Sequence, residues 1–188
     1  MSKLSGIRVV DLSLFLPGPM MTSMLADHGA EIIKIEPPGG DPARQMEPFE
    51  EGQSVWFRNI NRGKQSVVLD LKQKDNLQKL YRLVEESDIF VEAFRPGVAN
   101  RLEIDYETLS AINPRIIYCS ISAFGQDGPL AHHPAHDLAV EASAGFMSVN
   151  DKGDGEPVVP AFPAADASAS LVALSGILMA LIGQERTG

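Results

Sequence analysis

The chain has 188 residues, enough for one good-sized domain or one and an incomplete second. Its apolar fraction of 44% with only 6% aromatics suits a globular core built from aliphatic side chains. A net charge of −9 argues against nucleic acid as the general partner, because phosphate backbones need a basic face, but it leaves room for a local basic pocket.

The first residues, Met1 to Gly6, lack the long apolar core of a signal peptide. Ile7 to Leu12 is a short, β-branched run of the buried-strand type. Gly18-Pro19 opens a helix and Gly29 closes it, with Met20, Met21, Met24 and Leu25 spaced to face the core. Glu31 to Glu36 is the second strand, and the run Pro37-Pro38-Gly39-Gly40-Asp41-Pro42 ends it. A long polar connection, Ala43 to Gln65, follows; such loops in compact domains are often functional. Ser66 to Leu71 is a third strand, Leu77 to Glu86 an amphipathic helix and Ile89 to Glu92 a fourth strand. A short helix over Tyr106 to Ile112 leads through Asn113-Pro114 into a fifth strand, Ile116 to Ser122. Leu171 to Ile182 is an apolar stretch of 12 residues, too short to span a bilayer, and is expected to be a buried core helix. This alternation of strands and helices predicts an α/β fold: an open, mostly parallel sheet with helices on both faces.

Several chemistries can be weighed from the residues alone. The first strand-to-helix turn, Ser13 to Pro19, lacks the G-x-G-x-x-G of a dinucleotide site, and Pro19 removes a backbone donor where a pyrophosphate would sit. No P-loop is present. His132, His133, His136 and Asp137 offer no second ligand pair to complete a zinc site, so no metal is expected, and His132 and His133 read as incidental surface histidines. Asp137 opens an apolar segment and reads as a helix N-cap. The single cysteine, Cys119, reads as a buried strand residue; it cannot form an internal disulfide, which fits a reducing cytoplasm. Asp166 lies between a Pro/Ala-rich approach, Pro160 to Ala165, and the apolar helical stretch. A carboxylate at a helix entrance is either a cap or an anion stabilised there for chemistry.

A resemblance narrows these options. Leu4 to Leu12 followed by Gly18-Pro19, Ala26 to Glu36, Asn61-Arg62-Gly63-Lys64 and Leu69-Asp70-Leu71-Lys72 resemble, in order, the class III CoA-transferases. Glu92 to Gly97, Asn113 to Ile117 and Ser122 to Pro129 continue the likeness to this carnitine/bile-acid CoA-transferase family, whose superfamily includes the α-methylacyl-CoA racemases. The resemblance covers the whole chain. It implies the Rossmann-like large domain of such an enzyme, with residues 1–188 as its N-terminal part and the second domain and C-terminal return segment outside this sequence.

The resemblance further implies that Asp166 attacks the thioester carbonyl of an acyl-CoA. A mixed anhydride and then an aspartyl-CoA thioester would form before CoA passes to a free carboxylic acid. Coenzyme A enters as substrate, with no tightly bound cofactor. Its contacts are expected at Leu16, Pro17, Gly18, Leu69, Lys72, Phe94 and Arg101. Two positions depart from the pattern: Pro37 stands where some transferases place an arginine, and Ala93 where an asparagine precedes Phe94. The pair His136-Asp137, with His136 30 residues before Asp166, matches the racemases; that likeness implies His136 and Asp166 on opposite faces of the acyl α-carbon, exchanging its proton through an enolate. The segment Ser54 to Lys64 resembles the transferases instead. A transferase is therefore the leading expectation and a racemase, or a CoA-binding fragment without catalysis, the alternative. By resemblance the full-length enzyme is a cytoplasmic, interlocked homodimer with no membrane or nucleic-acid partner.

Overall fold

The computed structural model describes residues 2–150 and 155–187. Five strands form one sheet: β1 (Arg8–Asp11), β2 (Glu31–Glu36), β5 (Lys64–Val68), β6 (Ile89–Glu92) and β7 (Ile117–Ser120). A two-stranded hairpin, β3 (Phe49–Glu50) and β4 (Gln53–Ser54), stands apart. The sheet order is β5-β2-β1-β6-β7 and every pairing in it is parallel. The chain winds outward from β1 to β5, then returns to the other side of β1 through β6 and β7. That reversal opens a crevice at the C-terminal ends of β1 and β6, where open α/β sheets bind ligands.

The apolar runs of the strands do not alternate with polar residues because both faces of the sheet are covered. Neighbouring residues divide between two cores. Val10, Ile33, Ile35 and Phe90 pack against Leu77, Leu80 and Val84 of α3 (Lys74–Glu85) and Leu109 of α5 (Tyr106–Ile112). Val9, Ile32, Ile89 and Val91 pack against Met21 and Leu25 of α1 (Pro17–Asp27) and Ile177 of α7 (Ala164–Thr187). Of the four α1 residues expected in the core, Met21 and Leu25 are fully buried and Met20 and Met24 half-buried. Helix α1 ends in a Schellman motif: the Ala30 N–H donates to Leu25 O (3.1 Å), the Gly29 N–H to Ala26 O (2.9 Å), and Gly29 takes φ +97°.

Several sequence-based boundaries move. Helix α1 starts at Pro17, so Pro19 falls inside a first turn that has no use for its missing N–H. The third sheet strand runs over Lys64–Val68, two residues earlier than Ser66 to Leu71, because Leu69 to Leu71 turn away as β5 leaves the sheet edge. The connection 43–65 is structured: a 3₁₀ turn (Pro42–Gln45), the β3–β4 hairpin, and helix α2 (Val55–Ile60) capped by the Ser54 hydroxyl accepting from the Phe57 N–H (3.1 Å). Periodicity could not announce elements this short. A one-turn helix, α4 (Val98–Arg101), and α6 (Asp137–Ser143) complete the chain.

The apolar stretch near the C-terminus is longer and less buried than expected. Helix α7 has 24 residues, and Ala164 to Arg186 is long and apolar enough to cross a membrane by length and composition alone, with a mean hydropathy of 1.8. One side packs along α1 and β7 through Ala173, Leu174, Ile177 and Leu181. The other exposes Leu171, Val172, Met179 and Ile182, with Val172 at 72%. A fully buried core helix is therefore the wrong description: α7 is two-sided and apolar on both sides.

Candidate active site

The crevice is built on a buried polar network under the β1–α1 turn. Asp11, at the end of β1, accepts from the Ser13 N–H (2.9 Å), the Ser13 hydroxyl, the Thr22 hydroxyl (2.6 Å) and Lys64 Nζ (3.1 Å). Lys34, 1% exposed inside β2, donates to Ser13 O (2.7 Å) and faces Asp41 Oδ2 at 2.9 Å. Burial alone would raise the Asp11 pKa, but Lys64, Lys34 and the hydroxyls outweigh it and hold the carboxyl below its usual range. Burial also pulls the Lys64 amine down to about 8 against the attraction of Asp11. Next door, Glu36 accepts from Arg44 Nε (2.8 Å) and Nη2 (2.6 Å), Ser66 Oγ (2.6 Å) and the Asp41 N–H (2.8 Å). These bonds overcome burial and hold its pKa down at about 2. Two buried lysine amines, Lys34 and Lys64, and the more exposed Arg44 thus match three buried carboxylates, as burying charge demands.

This network fixes the turn that walls the site. A Cβ on Gly18 would lie 2.1 Å from Ser13 Oγ, so only glycine lets α1 begin against the pinned serine. Leu12, Leu14, Phe15 and Pro17 then line a cavity of about 390 Å³ together with Ala93 to Pro96 after β6, Ile121 to Phe124 after β7, His133 to Asp137, and Ala165, Asp166 and Ala169 of α7. That volume suits a small-molecule site. A second cavity of about 230 Å³ lies on the other side of Leu12, Leu14 and Phe94, between Ile35 to Pro38, Leu69 to Lys72 and Leu102. Glu92 Oε2 accepts from the Phe94 N–H (2.7 Å) and sets the bend that puts the Phe94 ring on the wall shared by both cavities.

Asp166 sits half-buried in the first turn of α7 and opens into the larger cavity. Helix α7 begins at Ala164, so Asp166 is inside the helix and caps nothing. Two carboxylates from α6 take the N–H groups expected to stabilise it: Asp137 Oδ1 accepts from the Asp166 N–H (2.9 Å) and Glu141 Oε1 from the Ala164 N–H (2.7 Å). Asp137 is thus a cap, but of α7; the N-cap position of its own helix belongs to His136. Burial pushes the Asp166 carboxyl up to about 6, with Asp137 and Glu141 adding to the shift and His136 opposing it. At pH 7 such a group is still mostly ionised and more basic than an ordinary aspartate.

The structure gathers most of the expected residues. Asp166, His136, Asp137, Pro17 and Phe94 line the first cavity, and Leu69, Lys72 and Phe94 the second. Leu16 is buried instead in a small core with Ala43 and Ile60, and Gly18 is buried beneath the turn. Arg101 lines neither cavity: it is exposed at the end of α4, while its neighbour Leu102 reaches the second one. His133 is exposed and lines the first cavity, so it is less incidental than its sequence context suggests. Cys119 is half-buried on β7 rather than buried; burial pushes its thiol up to about 11, which keeps it protonated and inert. Among the described residues no group of His, Cys, Asp and Glu could hold a metal ion.

CoA-transferase family III matches residues 4–188. The chain belongs to that family. It is 45% identical over 185 residues to an acetyl-CoA:oxalate CoA-transferase of Acetobacter aceti, covering 97% of this chain and 48% of that protein. It is 40% identical to a succinate–glutarate CoA-transferase of Agrobacterium fabrum, covering 98% and 48%. A solved CaiB/BaiF family protein from Brucella suis superposes with a TM-score of 0.95 at 37% identity, over 100% of this chain and 51% of the other. This family III chain therefore spans about half the length of the curated relatives it matches. Pro37 and Ala93 line the second and first cavities respectively. One residue escaped the sequence reading as part of the site: Arg95, three residues beyond the end of β6, lines the cavity that holds Asp166. Its position at the carboxyl end of a strand beside the switch point was the available signal.

Proposed function

We propose that the enzyme to which this chain belongs moves CoA from an acyl-CoA thioester to a free carboxylic acid, with Asp166 as the covalent relay. The observation that supports this reading is a half-buried carboxylate of raised pKa, pointing into the crevice at the sheet's switch point. An Asp166 carboxylate oxygen attacks the thioester carbonyl, the C–S bond breaks and CoA leaves as thiolate, giving a mixed anhydride. The thiolate then attacks the Asp166 carboxyl carbon, forming aspartyl-CoA and releasing the donor acid. The acceptor carboxylate reverses both steps. Splitting the transfer in this way replaces one difficult displacement with easier ones, and an apolar cavity suits it because water would hydrolyse the anhydride.

Relatives named for oxalate, glutarate and succinate make dicarboxylic acids the first acceptors to test. The exposed apolar side of α7 fits an enzyme in which further chain, or a second subunit of a homodimer, covers it. Proton exchange at the acyl α-carbon is a second reading, favoured by His136 lining the same cavity as Asp166. The deciding experiment incubates the intact protein with acyl-CoAs and free acids in deuterated water and follows products by mass spectrometry. New acyl-CoA without α-deuterium supports transfer; α-deuterium without new acyl-CoA supports racemisation and overturns the first reading.

A further inference from the structure

Helix α6 presents two carboxylates, Asp137 and Glu141, four residues apart and therefore on one face. They meet the first turn of α7 at N–H groups two residues apart, on Ala164 and Asp166. The start of a helix leaves such donors without intrahelical partners, and here α6 satisfies two of them. Glu141 is only 3% exposed, and its second oxygen, Oε2, is buried with no hydrogen-bond partner among the described residues. A glutamine would cap Ala164 equally well without burying a charge. An ionisable group kept in so costly a place calls for an explanation beyond the cap.

We propose that Glu141 is a positioning residue which, together with Asp137, clamps the first turn of α7 and so sets the orientation and charge surroundings of Asp166. The inference rests on Asp166 being the reacting group. The ionisable groups around this junction are Asp166 on α7, Asp137 on α6 and His136 just before it, with Arg95 and His133 lining the same cavity; the 3₁₀ turn Phe146–Asn150, which also packs on α6, carries none. Beyond burial, Asp137 and then Glu141 push the Asp166 carboxyl up, and His136 pushes it down. Removing the charge of Glu141 should release the Asp166 proton more readily. Removing the cap as well should let the turn shift, and misplacing a nucleophile by about 1 Å costs on the order of 10²-fold in rate.

Two variants of the intact protein separate these roles. Glu141→Gln keeps the acceptor and removes the charge, whereas Glu141→Ala removes both. Titration of ¹³C-labelled aspartate carboxyls by NMR, with Asp166→Asn to assign the resonance, should show the Asp166 pKa falling in Glu141→Gln. The acidic limb of the kcat profile should move down by the same amount. Glu141→Ala should lose about 10- to 100-fold in kcat with KM for acyl-CoA little changed. An Asp166 pKa unmoved in Glu141→Gln overturns the proposal, as does full kcat in Glu141→Ala. If Glu141→Ala fails to fold, Asp137→Asn, which keeps an acceptor for the Asp166 N–H, must lower the same pKa. The NMR titration reads Asp166 without any turnover, so a wild-type protein lacking transfer activity would refute the proposed function while the titration still decides the clamp.

Discussion

The Asp166→Asn substitution keeps the size of the side chain and removes its charge. In the native protein the carboxyl is pushed up from 3.8 to about 6, chiefly by burial and then by Asp137. The folded state therefore prefers the protonated form. Stability is fully present below pH 3.8 and is lost as pH rises through 6. A shift of about two units corresponds to roughly 3 kcal/mol, and because Asp166 is only half-buried, solvent screening reduces this to about 1–2 kcal/mol. Asp166→Asn should be more stable than the native protein by that amount at pH 7, a midpoint about 2–8 °C higher for a unit of this size, and no more stable near pH 4. It should also abolish CoA transfer. Thermal unfolding at pH 4.5 and 7.5, paired with a transfer assay on the same samples, reads both. A variant less stable at pH 7.5, or equally stabilised at both pH values, would refute the assignment of Asp166 as a group strained by its surroundings. Retained transfer would refute it as the relay.

Three further outcomes are expected. Arg44→Met leaves buried Glu36 without its bidentate partner; because Arg44 is itself 40% exposed, the cost should be about 1–2 kcal/mol at pH 7, and because Glu36 is held at about 2, the difference from native should shrink as pH falls below 4, as urea unfolding would show. Gly18→Ala forces a methyl group onto Ser13 and should cost about 1–3 kcal/mol, while Gly18→Ala combined with Ser13→Gly should recover part of that loss in the same measurement. Val172→Asp places a charge on the exposed side of α7 and should leave the secondary structure intact by circular dichroism. If that side is covered in the intact enzyme, the same variant should weaken assembly, seen as a smaller particle by light scattering.

What the sequence determined by itself is local. Strands β1, β2 and β6 and helix α1 were legible because their β-branched runs, prolines and closing glycine act within a few residues, and the order of motifs carried the family and placed Asp166 at a helix entrance. Tertiary structure decided the rest, because the forces involved join distant residues. Lys34 reads as one polar position in a strand, yet it is buried because Ser13 and Asp41 bring partners to it. Arg95, after β6, and His133, in the connection after β7, entered the site only when those segments folded over the crevice at the ends of β1 and β6. Asp166 became a carboxylate of raised pKa because the fold buried it, and because α6, 23 to 29 residues upstream, laid Asp137 and Glu141 across the first turn of α7. Sequence spacing measures neither burial nor the distance between charges, and those two quantities decide what an aspartate can do.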